Sequence, residues 1–324
     1  MNRRDFLKAS GLVLATAATT PVTRFAWAGG AKVNLKIGYL PITDHLLMIA
    51  ADREQFKSVG IQPVRFSSWP EIAEALKVGA LDGAFLLTPI GLTLRQKGVP
   101  VKVVLLGHRN GSAITVKNSG EINRIEDLKG KTIAIPSPFS THNILLRKIL
   151  TEKHINPAKD LKIIDMAPPE MVNALAIGRI HGYIVAEPFG AQAEARKVGK
   201  VLMLSKDIWH DHICCVLNLR EQVVANHPEA VQELVSGFIR TAAFIEANPV
   251  QAAKGSTKIL GQKPEIIERV LTTPRDRLSF QHLVPIKADF VATQDYMVKF
   301  GIAKDKVDIS GYLDDRFARR AVRS

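Results

Sequence analysis

The polar residues most able to do chemistry in this sequence stand together before a predicted strand. The segment His210-Asp211-His212-Ile213-Cys214-Cys215 holds two imidazoles, a carboxylate and both cysteines of the chain. Side chains alternate between the faces of a strand, so His210, His212 and Cys214 would share one face. Two imidazoles and a thiolate can bind zinc or copper. The alternative is a loop that enters a buried strand, where cysteine packs as a small hydrophobic residue. We favour this second interpretation and expect no metal and no cofactor.

Helix starts that follow predicted strands form a second group of polar residues. These starts are Thr43-Asp44-His45, Ser68-Trp69, Ser140-Thr141-His142 and Glu187-Pro188. In open α/β sheets, ligands bind outside the carboxyl ends of the strands. A helix N-terminus offers free N–H groups and a positive dipole end that suit small anions. Capping alone would explain Ser, Thr or Asp at any one start, but the set together indicates a cleft for a small anionic solute.

Signatures of catalysis are missing from the sequence. It has no Gly-x-Ser-x-Gly elbow, no Gly-x-Gly-x-x-Gly turn, no phosphate loop and no His-Glu-x-x-His helix. We therefore expect a binding protein and not an enzyme.

Composition limits the class of protein further. The 324 residues are 46% hydrophobic and 23% charged, which is typical of a globular chain with room for two domains. The excess of 44 Lys and Arg over 31 Asp and Glu gives a net charge of +13. The basic residues are not interleaved with aromatic ones and no recognition helix is visible, so nucleic acid is not an expected partner. Adjacent cysteines cannot easily form a relaxed disulfide, which excludes a disulfide-stapled miniprotein.

The elements that must position the polar residues alternate between strand and helix. Strands are predicted at residues 32–40, 63–66, 81–87 and 101–106, and a helix is predicted at residues 44–58. A second helix begins at the capping box that Ser68 and Glu71 form. Such alternation predicts a largely parallel sheet. Beyond about residue 220 the pattern is helical.

One stretch of sequence recurs after 99 residues. Residues 69–83 and 168–182 share Pro, Glu, Ala, Leu and two Gly at matching positions. Each stretch then leads through a predicted strand to a proline, Pro89 or Pro188. Two similar α/β units therefore follow one another, and the sequence predicts a two-lobed protein.

The first 28 residues have the features of an export signal. A twin arginine, Arg3-Arg4, precedes an apolar stretch at residues 11–18 and a small-residue cleavage pattern at Ala26-Trp27-Ala28. The apolar stretch is far shorter than the roughly 20 residues of a spanning helix. We predict export by the twin-arginine translocase, cleavage near Ala28 and a soluble periplasmic protein. A cytoplasmic protein with a basic N-terminus is the alternative.

Several phrases of the chain resemble the periplasmic solute-binding proteins of ABC importers. The resemblance is to the nitrate-, bicarbonate- and sulfonate-binding group and its pyrimidine-precursor (NMT1/THI5-like) relatives. The phrases that carry it are Ile37-Gly38-Tyr39-Leu40-Pro41, Ser68-Trp69-Pro70-Glu71, Leu86-Leu87-Thr88-Pro89, Asn110-Gly111-Ser112-Ala113-Ile114, Ser140-Thr141-His142-Asn143, Pro168-Pro169-Glu170-Met171-Val172 and Ala186-Glu187-Pro188-Phe189.

The resemblance implies a type II periplasmic-binding-protein fold. Each of its two lobes would be a mostly parallel sheet flanked by helices, with the ligand cleft between the lobes. Lobe 1 would comprise residues 31–113 plus 216–324, and lobe 2 residues 114–215.

The resemblance also implies a set of ligand-binding residues. A Trp and a His of the nitrate-type relatives match Trp69 and His142, and a backbone motif matches Ala186-Glu187. Two positions depart from the pattern: Ser112 stands where the relatives have Gln, and Cys215 stands where they have a charged residue. The remaining expected ligand-binding residues are Asp44, His45 and Thr88.

The absence of a lysine at position 215 disfavours nitrate itself and leaves a small oxyanion or a sulfonate-like compound as the expected solute. Cys214, on the opposite side of the strand, would be a packing residue.

The function implied is the solute-binding component of an ABC transport system. Its partners would be a permease and an ATPase at the inner membrane, and the chain would be a monomer. Two alternatives stay open: an enzyme of the pyrimidine-precursor synthase type, and a ligand-sensing or metal-binding periplasmic protein.

Overall fold

Two five-stranded sheets organise residues 32–323, the part of the chain that the computed structural model describes. The predicted export signal lies outside these residues. The strands are, in chain order, β1 (Val33–Tyr39), β2 (Val59–Arg65), β3 (Gly83–Leu87), β4 (Val101–Leu106), β5 (Arg109–Asn110), β6 (Ser112–Lys117), β7 (Thr132–Ile135), β8 (Lys162–Asp165), β9 (Gly182–Ala186), β10 (Gly199–Leu204), β11 (Cys215–Arg220) and β12 (Leu278–Ser279).

Helices cover the sheets. They are α1 (Ala50–Arg53), α2 (Trp69–Lys77), α3 (Thr88–Gln96), α4 (Thr141–Glu152), α5 (Pro168–Ala176), α6 (Phe189–Ala195), α7 (Ser205–Ile208), α8 (Glu221–Asn226), α9 (Pro228–Ala247), α10 (Pro249–Gly255), α11 (Thr257–Leu260), α12 (Pro264–Thr272), α13 (Lys287–Lys299) and α14 (Arg316–Arg323), with 3₁₀ helices at Thr43–Ile49 and Ile125–Leu128. No helix within residues 32–323 combines the length and the apolar character needed to cross a membrane.

The two sheets follow the same plan. The first has the strand order β2-β1-β3-β11-β4, and the second has the order β10-β6-β9-β7-β8. One strand of each sheet, β11 or β6, runs antiparallel to both of its neighbours. The first residue of that strand therefore lies at the edge where the parallel strands end, and Cys215 pairs with Leu87 as Ser112 pairs with Ala186. The predicted α/β architecture with mostly parallel sheets is confirmed.

The 99-residue repeat appears as matching elements. Helices α2 and α5 each have nine residues, and strands β3 and β9 each have five. Their bounds differ by the offset found in the sequence. All five residues of β3 and all five of β9 are buried, as expected for strands covered on both faces. The predicted division into two α/β units thus corresponds to two sheets, while the lobe bounds given above stay a prediction.

The predicted helix at residues 44–58 is wrong in type and length. The chain instead forms the 3₁₀ helix Thr43–Ile49, then the four-residue α1, and β2 already begins at Val59. His45 leaves helical geometry, with φ −105° and ψ 21°. Its Nδ1 accepts a hydrogen bond from the Leu40 amide at 2.8 Å, which ties the imidazole back to the end of β1. All seven residues of the 3₁₀ helix are buried, so tertiary packing overrides the helical periodicity.

Candidate functional site

The edge at which the parallel strands of the first sheet end carries a buried carboxyl group. Asp44 lies in the 3₁₀ helix after β1 and is completely buried. His108 follows β4 at the same edge, and its Nε2 lies 3.1 Å from Asp44 Oδ2 as an ion pair. Within residues 32–323, neither carboxylate oxygen has a hydrogen-bond partner of good geometry.

Both thiols join this pair. One donor atom each from Asp44, His108, Cys214 and Cys215 lies within 4.8 Å of the other three, and all four side chains are buried. The backbone before β11 is held by Thr88, whose amide and hydroxyl both donate to the Cys214 carbonyl, at 2.8 and 2.9 Å. The hydroxyl of this predicted ligand-binding residue therefore has a partner in the protein.

The expectation that Cys214 faces away from the site is wrong. Strand β11 begins only at Cys215, so strand alternation does not apply to the residue before it. The alternative metal set of the sequence analysis is also not brought together: His210 is exposed, and Cys214 lies with Asp44, His108 and Cys215. His212 is buried, and its Nδ1 lies 3.2 Å from the Ile213 carbonyl oxygen.

The charges of the cluster depend on one another. Burial raises the pKa of Asp44, against the attraction of His108. Burial opposes protonation of His108, but the Asp44 carboxylate outweighs it and raises the pKa of His108 to about 10. Burial also disfavours a Cys214 thiolate, yet hydrogen bonds from Cys215 and His108 lower the Cys214 pKa to about 7. Burial and the neighbouring Cys214 raise the pKa of Cys215.

An aromatic and imidazole group lies beside the cluster. The Trp69 ring centroid is 6.2 Å from that of His45 and 5.7 Å from that of His142, and all three side chains are buried. His142 Nε2 lies 3.0 Å from the Ser112 hydroxyl, at the edge of the second sheet. Burial, helped by the neighbouring imidazoles of His212 and His108, lowers the pKa of His142 to about 3. This imidazole is therefore neutral at physiological pH.

Glu187 connects the edges of the two sheets. It follows Ala186, the last residue of β9, and its carbonyl accepts the Thr43 amide at 2.9 Å. Its own amide donates to the Gly111 carbonyl at 2.8 Å. The buried Glu187 carboxylate lies 3.2 Å from Arg277 Nη1. Residues predicted from both halves of the repeat thus meet in one buried site.

Buried polar atoms without a hydrogen-bond partner are concentrated in this site. In the described part of the chain they include Thr43 Oγ1, Asp44 Oδ1 and Oδ2, His45 Nε2, Trp69 Nε1, His108 Nδ1, Thr141 Oγ1, His142 Nδ1, Glu187 Oε1, His212 Nε2, and Arg277 Nε and Nη1. Folded proteins leave only a few such atoms per 100 residues. Their clustering at the facing edges of two sheets is the geometry of a polar ligand site.

Sequence reasoning missed two members of the site. His108 follows the predicted strand 101–106, so the rule that selected the other strand-end residues also applies to it. Arg277 lies far along the chain between α12 and β12, where no local pattern marks it. It reaches the site because its carbonyl accepts the Gly111 amide at 2.9 Å.

Residues 28–260 match the model of the NMT1-like family. The chain belongs to this family. Among curated relatives, this NMT1-like chain is 31% identical over 250 residues to the nitrate import ATP-binding protein NrtC of Synechocystis, covering 69% of this chain and 37% of the relative. It is 32% identical over 243 residues to the bicarbonate transport ATP-binding protein CmpC of the same organism, and this match covers 68% of this chain and 36% of the relative. The chain therefore spans little more than a third of the length of these relatives.

Solved structures confirm the fold class of this NMT1-like chain. The ligand-binding component of an ABC-type import system from Staphylococcus aureus, solved with zinc bound, has a TM-score of 0.81 and 26% identity, and the match covers 90% of this chain and 100% of that one. The periplasmic nitrate-binding protein NrtA from Synechocystis has a TM-score of 0.83 and 17% identity, with 90% and 89% covered. The predicted two-lobed periplasmic-binding-protein fold is confirmed.

Proposed function

We propose that this NMT1-like chain is the solute-binding component of an ABC import system, and not an enzyme. It would hold a small oxyanion or a sulfonate-like compound between the facing edges of its two sheets. The observation that carries the proposal is the cluster of buried, unpartnered polar atoms contributed by elements of both sheets. The names of the relatives, which concern nitrate import and bicarbonate transport, support the same class of solute.

The chemistry of one side of the site suits an anion. Trp69 Nε1 and the Thr141 hydroxyl are buried donors without a partner, and both lie at the start of a helix. Helix α4 begins at Thr141, so its first N–H groups and its positive dipole end lie at Thr141 and His142. Arg277 Nε and Nη1 are further buried donors that make no hydrogen bond within the described chain, although the Glu187 carboxylate lies 3.2 Å from Nη1 and balances the charge of the guanidinium. These donors match the acceptor oxygens of an oxyanion or a sulfonate.

We infer that the partners are a permease and an ATPase at the inner membrane, since two of the relatives are named as ATP-binding proteins of import systems.

We also propose export through the twin-arginine translocase, with cleavage near Ala28, and action as a periplasmic monomer. Replacing Arg3-Arg4 by two lysines should then leave the protein in the cytoplasm. Unchanged periplasmic yield from a strain without that translocase contradicts the export proposal.

A thermal-shift screen of small oxyanions and sulfonates tests the binding function. A solute that binds only the folded state stabilises it by about 2.7 kcal/mol at 100 times its Kd, which raises the Tm by several degrees. Trp69→Ala and His142→Ala should remove this response, because each deletes an unpartnered buried group of the site. His154→Ala, at an exposed residue after α4, is the matched control and should respond like wild type. A full response in both site variants contradicts the proposed site.

One observation favours an enzyme as a second candidate. Asp44, His108 and Cys214 bring a carboxyl group, an imidazole and a thiol close together. The pKa of the Cys214 thiol is lowered to about 7, although burial acts in the opposite direction. A thiol nucleophile would leave the solute chemically changed. Mass spectrometry of a solute incubated with the protein separates the two functions, because a transport receptor returns its solute unaltered.

A further inference from the structure

We propose that Asp44, His108, Cys214 and Cys215 form a binding site for a thiophilic divalent cation of the zinc class. This inference deepens the proposed function and rests on it in one respect, since an ion reaches the buried cluster only if the two lobes separate.

The separations of the donor atoms suit a four-coordinate ion. With Zn–S bonds of about 2.3 Å and Zn–N and Zn–O bonds of about 2.0 Å, tetrahedral ligand atoms lie about 3.3 to 3.8 Å apart. His108 Nε2 and Asp44 Oδ2 are 3.1 Å apart, and all four donor atoms fall within 4.8 Å of one another. Small side-chain rotations toward a common centre would complete the coordination shell.

The types of ligand narrow the choice of metal. Two thiols, one imidazole and one carboxylate are the donors that zinc sites use, whereas calcium and magnesium require oxygen atoms. The cluster is buried, and burying a carboxylate is costly unless a cation or hydrogen-bond donors compensate its charge. Within residues 32–323, His108 Nε2 balances the Asp44 carboxylate from 3.1 Å, but neither Asp44 oxygen makes a hydrogen bond of good geometry. A metal ion would compensate the carboxylate and engage both thiols together.

All four ligands come from one edge of the first sheet. Asp44 follows β1, His108 follows β4, and the cysteines stand at the start of β11, whose first residue pairs with the end of β3. The ligand set is therefore complete within one sheet and does not depend on closure of the cleft. Gly111, with φ 91°, packs against it so closely that a Cβ there would lie 2.7 Å from Asp44 Oδ1.

Coordination by four protein ligands leaves no open position on a tetrahedral ion. Catalytic zinc sites keep one position for water or substrate, and structural sites do not. The ion would therefore be held and not used to activate a substrate. The formal charges of the filled site sum to about −1, because two thiolates and the Asp44 carboxylate outweigh the two positive charges of the ion. The ion would therefore hold this edge together beside Trp69 and His142 and would not supply the cation that binds an anionic solute.

Cobalt(II) titration of the reduced, metal-free full-length protein tests the inference. Tetrahedral thiolate coordination gives a thiolate-to-cobalt charge-transfer band and intense d–d bands, which zinc should bleach by displacing cobalt. Cys214→Ser and Cys215→Ser should each lose about half of the charge-transfer intensity, since each removes one of the two thiolates, and the double variant should lose all of it. His210→Ala, which alters the exposed imidazole nearby, should bind cobalt like wild type.

Several results overturn the inference. They are a reduced wild-type protein without the charge-transfer band, a band that persists in the double cysteine variant, and a loss in His210→Ala equal to that in Cys214→Ser. Thiol counting before each titration verifies reduction, and cysteines that stay linked to each other under reductant also overturn it. Circular dichroism of each apo variant separates lost binding from lost folding, and His108→Gln provides a second ligand variant that leaves both thiols in place.

The same samples distinguish failure of this inference from failure of the proposed function. If cobalt binding fails while solutes still raise the Tm, only the metal site is wrong. If metal binds as expected while no oxyanion or sulfonate raises the Tm with or without zinc, the proposed solute class is wrong and the metal site stands.

Discussion

Glu187 and Arg277 bury opposite charges where the two sheets meet. Arg277 Nη1 lies 3.2 Å from Glu187 Oε1, and the exposed fractions of the two side chains are 6% and 0%. Burial raises the pKa of Glu187, although Arg277 and the Ala191 amide act in the opposite direction. The pair is thus a compromise in which desolvation offsets much of the Coulomb attraction.

Removing one member of this pair should cost more than removing both. Arg277→Met leaves the buried Glu187 without its cation, and such changes cost about 3–5 kcal/mol. The raised pKa of Glu187 lets it take up a proton, so we expect the lower end of that range. The double variant Glu187→Gln/Arg277→Met should recover most of the loss. Urea unfolding of the two single variants and the double variant measures this, and additive losses contradict the coupling.

How far the site could be predicted depends on the type of residue. Trp69, His142 and Glu187 were predicted because each stands at a helix start after a predicted strand, a position that the sequence pattern reveals, whereas Ser112 was predicted only from the resemblance to the nitrate-type relatives. The orientation of the Cys214 side chain was not predicted, because it depends on where β11 begins, and this strand begins one residue after Cys214. Long-range partners such as Arg277 are set by packing between distant segments, which a local pattern does not contain.

Helices α2 and α5 show how closely the repeat is reproduced at the scale of an element. Gly79 and Gly178 follow them with φ 78° and 73°. In both helices the glycine amide donates to the carbonyl of the residue two positions before the helix C-cap, at 3.1 Å. The amide of the residue after the glycine donates to the carbonyl three positions before the C-cap, at 2.9 Å. The two helices therefore end in the same Schellman motif. A helix end of this kind is predictable from sequence, whereas the buried 3₁₀ helix Thr43–Ile49 is not.

Replacing the glycine after α2 or the glycine after α5 should lower the stability of the protein by similar amounts. Gly79→Ala and Gly178→Ala force an L-residue into the left-handed region, which costs about 1 kcal/mol each. The atom nearest to the new Cβ is Arg220 Nη1 at 2.9 Å for Gly79 and Lys117 Nζ at 3.0 Å for Gly178, and both are ends of flexible side chains that can move. Gly255→Ala, in α10, is the control, because its Cβ would meet no atom of residues 32–323 within 4 Å. This substitution should raise the free energy of unfolding by about 0.5 kcal/mol. Thermal unfolding of the three variants tests this, and a neutral result at Gly79 or Gly178 contradicts the strain argument.

For the whole molecule, the buried imidazoles couple stability to pH. Burial is the main cause that lowers the pKa values of His45, His142 and His212, the last two to about 3. His108 is the exception, because the Asp44 carboxylate outweighs burial and raises its pKa to about 10. The folded chain therefore keeps three imidazoles neutral and one protonated across the neutral range. This pattern follows from which sheet edge each residue occupies, so it could not be predicted from the count of nine histidines.

The free energy of unfolding should fall as the pH drops below 6.5. In that range the unfolded chain protonates His142 and His212 near their ordinary pKa of 6.5, while the folded chain keeps both neutral down to about 3. The unfolded state then binds more protons, and each residue removes about 1.4 kcal/mol per pH unit. His108 adds nothing there, because both states hold its proton below 6.5; its contribution is lost as the pH rises from 6.5 toward 10. Asp44 and Glu187 act in the opposite sense at pH values above the ordinary carboxyl range, because burial raises their pKa values in the folded chain. The difference between wild type and a single histidine variant removes this common contribution.

Urea unfolding between pH 6.5 and about 5 measures how steeply the free energy of unfolding depends on pH. Each buried neutral imidazole adds about 1.4 kcal/mol per pH unit to this slope. His142→Gln should reduce the slope by that amount, because glutamine keeps a polar group at the site but cannot take up a proton. His154→Gln makes the same substitution at the exposed residue after α4 and controls for the exchange of histidine for glutamine itself. Equal slopes in wild type and His142→Gln would mean that the buried imidazole does take up a proton in the folded state. His142 would then carry a positive charge beside Ser112, and the assignment of a neutral imidazole to the solute site would be wrong.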